Sequence, residues 1–155
     1  MLLNVTENLE LAAGIEDVWR LLRDTGRLAK LVPGVQSVER IDAVDREAYR
    51  VQVMEKVGPF KVTMKLEIGV SEAIEPAVLG ATVKGGDAMG MSRATGTLRV
   101  ELTPSAGGTA MSFTLNIEVL GKLAALGGPV IRRRVAELFN EFGKSVVAEF
   151  EGGKS

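Results

Sequence analysis

Apolar and polar residues alternate between residues 109 and 120, and the spacing then changes to that of a helix. The alternating apolar positions are Met111, Phe113, Leu115, Ile117 and Val119. The helically spaced positions that follow are Ile131, Val135, Leu138, Phe139, Phe142, Val146 and Phe150. The first spacing predicts a strand and the second an amphipathic helix over about 130–150. Such a helix, following two-faced strands, is expected to bury its apolar side on a sheet.

The rest of the chain predicts six further strands and two short helices. The strands are expected at 2–12, 35–41, 48–55, 60–70, 77–84 and 92–102, and the helices at 15–23 and 27–32. A turn is expected near 42–45. Consecutive strands with separate helices predict an α+β fold, a seven-stranded antiparallel sheet wrapped around the long helix. One domain is expected over 1–150, followed by a flexible tail at 151–155.

Composition narrows the chemistry. The 155 residues contain no histidine and no cysteine, so histidine-based triads, thiolate nucleophiles and thiolate metal sites are excluded. The net charge of −1 gives no reason to expect nucleic acid. We therefore expect no catalytic set and no metal. The N-terminus lacks signal-peptide features and no apolar run could span a bilayer, so a cytoplasmic protein is expected.

Small residues on one face of the strand near 92–102 raise the question of a cavity. Ser92, Ala94 and Gly96 precede the larger Leu98 and Val100 on that face. They indicate either close packing or a cavity wall, and both interpretations stay open here. The second predicts an elongated apolar cavity in which Gly96→Leu would block a ligand and leave the fold intact. Its expected lining is Val62, Met64, Leu66, Ala94, Gly96, Met111, Phe113, Leu115, Ile131, Val135, Leu138 and Phe139.

Two surface features complete the candidate residues. The segments at 33–34, 58–59, 85–90 and 121–129 are rich in glycine and proline, and we expect some of them to meet at one end as a gate. Arg132, Arg133 and Arg134 form a basic run at the start of the long helix. That run is either a solvated helix face or a docking site for an acidic partner or a membrane.

The order of the elements and several short motifs resemble the family of the carbon monoxide dehydrogenase G protein, of the START-like, helix-grip superfamily. The motifs are DVWRLLRD at 17–24, LVPGV at 31–35, VGPF at 57–60, ATG at 94–96, GGT at 107–109, VLGKLA at 119–124 and LG at 126–127. Each is weak alone, but their order and spacing together are specific.

The resemblance implies a non-enzymatic accessory protein that binds a quinone, menaquinone- or ubiquinone-like, or another isoprenoid lipid, with no covalent cofactor. It implies a molybdenum hydroxylase such as carbon monoxide dehydrogenase as partner, and peripheral contact with the inner face of the membrane. Many family members carry a further linker and an amphipathic membrane-binding segment after the long helix.

Two rival hypotheses remain. One is an enzyme of the cyclase or dehydratase type, with Tyr49 or a buried carboxylate such as Glu55 as acid or base, which a convergent pair of ionisable groups would favour. The other is a pure assembly factor with a collapsed interior.

Overall fold

A computed structural model describes residues 1–41 and 46–152. Within these residues, seven strands form one antiparallel sheet with the spatial order β1-β7-β6-β5-β4-β3-β2. The strands are β1 (Leu2–Leu11), β2 (Val35–Arg40), β3 (Ala48–Val57), β4 (Phe60–Ile74), β5 (Val78–Asp87), β6 (Ser92–Ser105) and β7 (Gly108–Gly121). The helices are α1 (Ile15–Arg23), α2 (Thr25–Ala29) and the long α3 (Gly128–Gly152).

This architecture confirms the predicted α+β, helix-grip fold. Element boundaries differ in three places. The second helix lies earlier than predicted, because the Asp24 side chain accepts a hydrogen bond from the Arg27 backbone N–H (3.2 Å) and so caps a helix that begins at Thr25. Gly85 and Gly86 belong to β5 rather than to a turn, and α3 continues to Gly152. The predicted turn at 42–45 and the tail residues 153–155 lie outside the described residues.

The strand register defines the inner face of the sheet, which is the face toward α3. Val53 pairs with Met64, Leu98 with Leu115, and Leu115 with Val5. Because side chains two residues apart share a face, the alternating apolar positions of β3 to β7 all lie on this side. The inner face is therefore almost continuously apolar.

Two glycines in the central strands allow neighbouring backbones to approach closely. A Cβ on Gly96 would lie 2.1 Å from the Asn116 carbonyl oxygen of β7. A Cβ on Gly85 would lie 2.0 Å from the Lys65 carbonyl oxygen of β4. The close-packing interpretation therefore holds for Gly96, and the expectation that Gly96→Leu leaves the fold intact is wrong.

The core is divided between the two ends of the inner face. One cluster of buried residues combines α1 with β6, β7 and Val146 of α3. The other combines Leu3, Val57, Val119 and Ile131. Because α3 reaches both, its two ends are anchored independently.

Candidate functional site

The middle of the inner face is apolar but is not packed shut. Met64, Leu66, Leu98, Leu115 and Leu138 belong to neither buried cluster, and each remains partly exposed to solvent. Core leucines of a domain this size are normally buried fully. An inner face that solvent still reaches is the arrangement expected of a binding surface for an apolar molecule.

The structure divides the predicted lining residues among three regions. Met64, Leu66, Leu115 and Leu138 lie in the partly exposed middle region. Val62, Ile131 and Val135 pack in the cluster around Val57. Met111 and Phe113 pack in the cluster around α1, while Ala94 is buried and belongs to neither cluster. Their role in binding stays a prediction.

A groove of about 360 Å³ runs between α3 and strands β1 and β7. Three of the predicted residues, Met111, Phe113 and Phe139, contribute to its wall. The rings of Phe113 and Phe139 meet edge to face, with centroids 4.0 Å apart. This contact joins the sheet to the middle of α3.

A wider concavity of about 970 Å³ lies beside α1 and α2, at the end of β2 and β3 nearer the 42–45 segment. Its wall includes Trp19, Arg23, Val38, Arg40 and Tyr49. Val38 and Tyr49 share a face with Val51, so this concavity adjoins the inner face of the sheet. It is more polar than the rest of that face.

Tyr49 belongs to a hydrogen-bonded cluster that the sequence did not reveal. Its hydroxyl donates to one oxygen of Glu47, and Arg23 donates to the other at 2.7 Å. Burial raises the pKa of Tyr49, and the bond to Glu47 raises it further. Burial would also raise the pKa of Glu47, but hydrogen bonds from Tyr49 and Arg23 outweigh it, and the net pKa is lowered. Tyr49 is therefore a proton donor and Glu47 a carboxylate at neutral pH.

Glu55 pairs with a cation that the sequence pattern had placed in the basic surface run. Arg134 of α3 donates to Glu55 and also, at 2.9 Å, to Glu137. Its Nε atom is buried without a hydrogen-bond partner among the described residues. Gly34, with φ of 80°, leaves room for Glu55, because a Cβ there would lie 2.4 Å from a Glu55 oxygen. Arg134 is thus directed into the protein, whereas Arg132 and Arg133 are exposed.

The four glycine- and proline-rich segments meet at one end of the sheet, which we call the loop end. This end carries the α2–β2, β3–β4, β5–β6 and β7–α3 connections. Lys122 donates its backbone N–H to the Met91 carbonyl (2.8 Å), and Leu123 donates to the Ser92 hydroxyl (2.9 Å). The clustering is confirmed, and the gate stays a prediction. The wide concavity lies at the opposite end.

Membrane spans and metal clusters are both absent from the described residues. No helix there is both long and apolar enough to cross a membrane. No group of three or more acidic side chains in the same ranges is arranged to hold a metal ion.

The sheet, the long helix against its inner face and the two short helices after β1 define a START-like fold. The model of the CoxG family, which is named for the G protein of carbon monoxide dehydrogenase, matches residues 8–149. The chain therefore belongs to the carbon monoxide dehydrogenase CoxG family, and the predicted family is confirmed. No curated protein matches it.

Solved structures agree with this fold. A conserved protein from Geobacillus kaustophilus is 26% identical, with 97% of this chain and 96% of that chain covered and a TM-score of 0.85. A START superfamily protein from Mycobacterium smegmatis is 15% identical, with 96% and 97% covered and a TM-score of 0.71. The protein Ara h 8.0201 is 15% identical over the same shares, with a TM-score of 0.68. The last two comparisons show the fold alone.

Proposed function

We propose that this protein binds a hydrophobic molecule, a quinone or another isoprenoid lipid, along the inner face of the sheet and carries it without converting it. The observation that carries the proposal is the band of partly exposed leucine and methionine side chains between two separately packed cores. Each isoprene unit buried there would contribute roughly 3 kcal/mol. A few units therefore suffice for tight binding without charged contacts.

The family supports the biological setting of the proposal. A CoxG protein would serve a molybdenum hydroxylase such as carbon monoxide dehydrogenase, in the cytoplasm and at the inner face of the membrane. The carrier would move a menaquinone- or ubiquinone-like molecule between that enzyme and the lipid phase. The pure assembly factor is less well supported, because a collapsed interior would have buried Leu66 and Leu115 fully.

The test compares two tryptophan substitutions in neighbouring positions of β4. Leu66 faces inward and Lys65 outward. We expect Leu66→Trp to reduce uptake of a short-tailed quinone at least tenfold, measured by native mass spectrometry, because the indole fills the binding space. Lys65→Trp should bind like the parent, and thermal unfolding checks that both are folded. Equal uptake by a folded Leu66→Trp protein would remove the inner face as the site.

The Tyr49–Glu47 pair favours a second candidate, an enzyme of the cyclase or dehydratase type. Tyr49 keeps its proton at neutral pH and would act as an acid toward a substrate in the wide concavity. In that case Tyr49→Phe would abolish turnover and preserve binding. A quinone or lipid recovered chemically unchanged after incubation with the parent supports the carrier, whereas conversion by the parent that Tyr49→Phe lacks supports the enzyme.

A further inference from the structure

Exposed large apolar side chains are concentrated at the loop end. Phe60 follows the β3–β4 turn, Met89 and Met91 lie in the β5–β6 connection, and Leu120 lies at the end of β7. Met89 is 80% exposed. The other members at this end are Leu2 and Val32, whereas Ile74 lies at the opposite end. Apolar side chains presented on several adjacent tips mark an interaction surface.

The same end carries exposed cations. No ion pair joins any of them to a carboxylate within the described part of the chain. They are Lys56, Lys61, Arg93, Lys122, Arg132 and Arg133. Of the nearby acids, Asp87 accepts hydrogen bonds from the backbone N–H groups of Met91 (2.7 Å) and Ser92 (2.9 Å), and Glu55 is paired with Arg134. Because the whole chain has a net charge of −1, positive charge is segregated to this end.

Two details show that stability alone does not explain these lysines. Lys56 and Lys61 stand directly opposite each other on β3 and β4, and like charges in that position are destabilising. The Lys122 ammonium lies over the Phe60 ring, 5.3 Å from its centroid. A cation and an exposed aromatic ring are thus held together at one tip.

We propose that the loop end is a membrane-docking surface for an anionic lipid bilayer. The apolar tips enter the boundary between headgroups and acyl chains, and the surrounding lysines and arginines meet the lipid phosphates. An acidic protein would satisfy the cations but leave the apolar tips on separate connections without a purpose. The proposal rests on the proposed function, since it brings the carrier to the phase that dissolves its cargo. The surface lies within the family domain itself.

The first experiment measures binding of the full chain to two kinds of vesicle. One contains phosphatidylcholine alone and the other includes phosphatidylglycerol. We expect co-sedimentation with the anionic vesicles at least tenfold stronger than with the neutral ones. Raising the salt from about 0.1 M to about 1 M should remove most of that difference, because screening shortens the reach of the charges.

Substitutions then separate the two components of the surface. Met89→Ser with Met91→Ser should weaken anionic-vesicle binding several-fold, whereas Ile74→Ser should not, although Ile74 (52%) is as exposed as Met91 (50%). Lys56→Glu with Lys61→Glu should weaken it roughly tenfold or more. Arg50→Glu, on β3 but remote from the loop end, is the matched charge control.

The outcomes distinguish docking from cargo binding. The docking variants should take up a quinone from detergent-free solution like the parent, and Leu66→Trp should lose uptake but still bind vesicles. Equal binding of parent and docking variants, or no preference for anionic vesicles, would overturn the docking surface and leave the carrier intact. Binding only to an acidic protein, with no vesicle binding at low salt, would overturn it too.

Discussion

Arg134 of α3 and Glu55 of β3 form an ion pair across the interior, with side chains only 23% and 16% exposed. This pair joins the first part of the long helix to the half of the sheet opposite β1. It also holds the α2–β2 connection, because Gly34 lies against Glu55. One contact thus couples three elements around the inner face.

Removing one partner of this pair should cost more than removing both. Exposed pairs contribute at most about 1 kcal/mol, and a lone buried charge costs about 3–5 kcal/mol. For this intermediate burial we expect Arg134→Met to lower the free energy of unfolding by about 2 kcal/mol. The double variant Arg134→Met/Glu55→Gln should lose less than the sum of the single losses. Urea unfolding measures both, with the exposed Arg132→Met as control.

Equal losses for Arg134→Met and Arg132→Met would mean that the pair is as weak as a surface contact. Strict additivity in the double variant would mean that the two charges do not interact.

The central strands should not tolerate a side chain at Gly96. We expect Gly96→Ala to lower the free energy of unfolding by about 3 kcal/mol, because its Cβ would meet the β7 backbone. Gly107→Ala is the control, since nothing lies within 4 Å of a Cβ there. Thermal unfolding compares the two variants. A Gly96→Ala protein as stable as the control would show that β6 and β7 can separate at little cost.

Tyr49 is the single tyrosine of the chain, so its ionisation can be followed by ultraviolet absorbance. We expect a pKa above the ordinary value of 10.0, from burial first and then from the bond to Glu47. Glu47→Gln should move the pKa back toward 10.0. The unfolded chain loses this proton first, so folding stability should fall as the pH rises from 10.0 through the raised pKa. A folded-state pKa equal to that in denaturant would contradict the cluster.

The sequence predicted the sheet and the long helix because their spacing directly reflects burial on one side. Met111 and Phe113, for example, alternate as the register requires. The Arg134–Glu55 pair could not be predicted, because 79 residues separate the partners and only the sheet topology brings them together. Glu47 was missed because it lies outside any periodic segment. Gly96 lies on the predicted face, but its small size serves strand approach, which periodicity does not encode.

Lys61 should be a position where stability and docking change in opposite directions. Because it faces Lys56 across β3 and β4, Lys61→Glu replaces a like-charge pair with an attractive one. We expect the free energy of unfolding to rise by about 0.5 kcal/mol. Binding to anionic vesicles should fall at the same time, because one cation of the loop end becomes an anion. Urea unfolding and vesicle co-sedimentation measure the two effects on one protein preparation.

The neutral variant Lys61→Gln separates repulsion from attraction. It removes the like-charge contact without adding an opposite charge, so its stability should lie between those of the parent and Lys61→Glu. At about 1 M salt, where screening reaches only about 3 Å, the three proteins should unfold at similar urea concentrations. A stability order that persists at high salt would assign the effect to strand propensity rather than charge. Lys61→Glu protein that is more stable yet binds vesicles like the parent would exclude Lys61 from the docking surface.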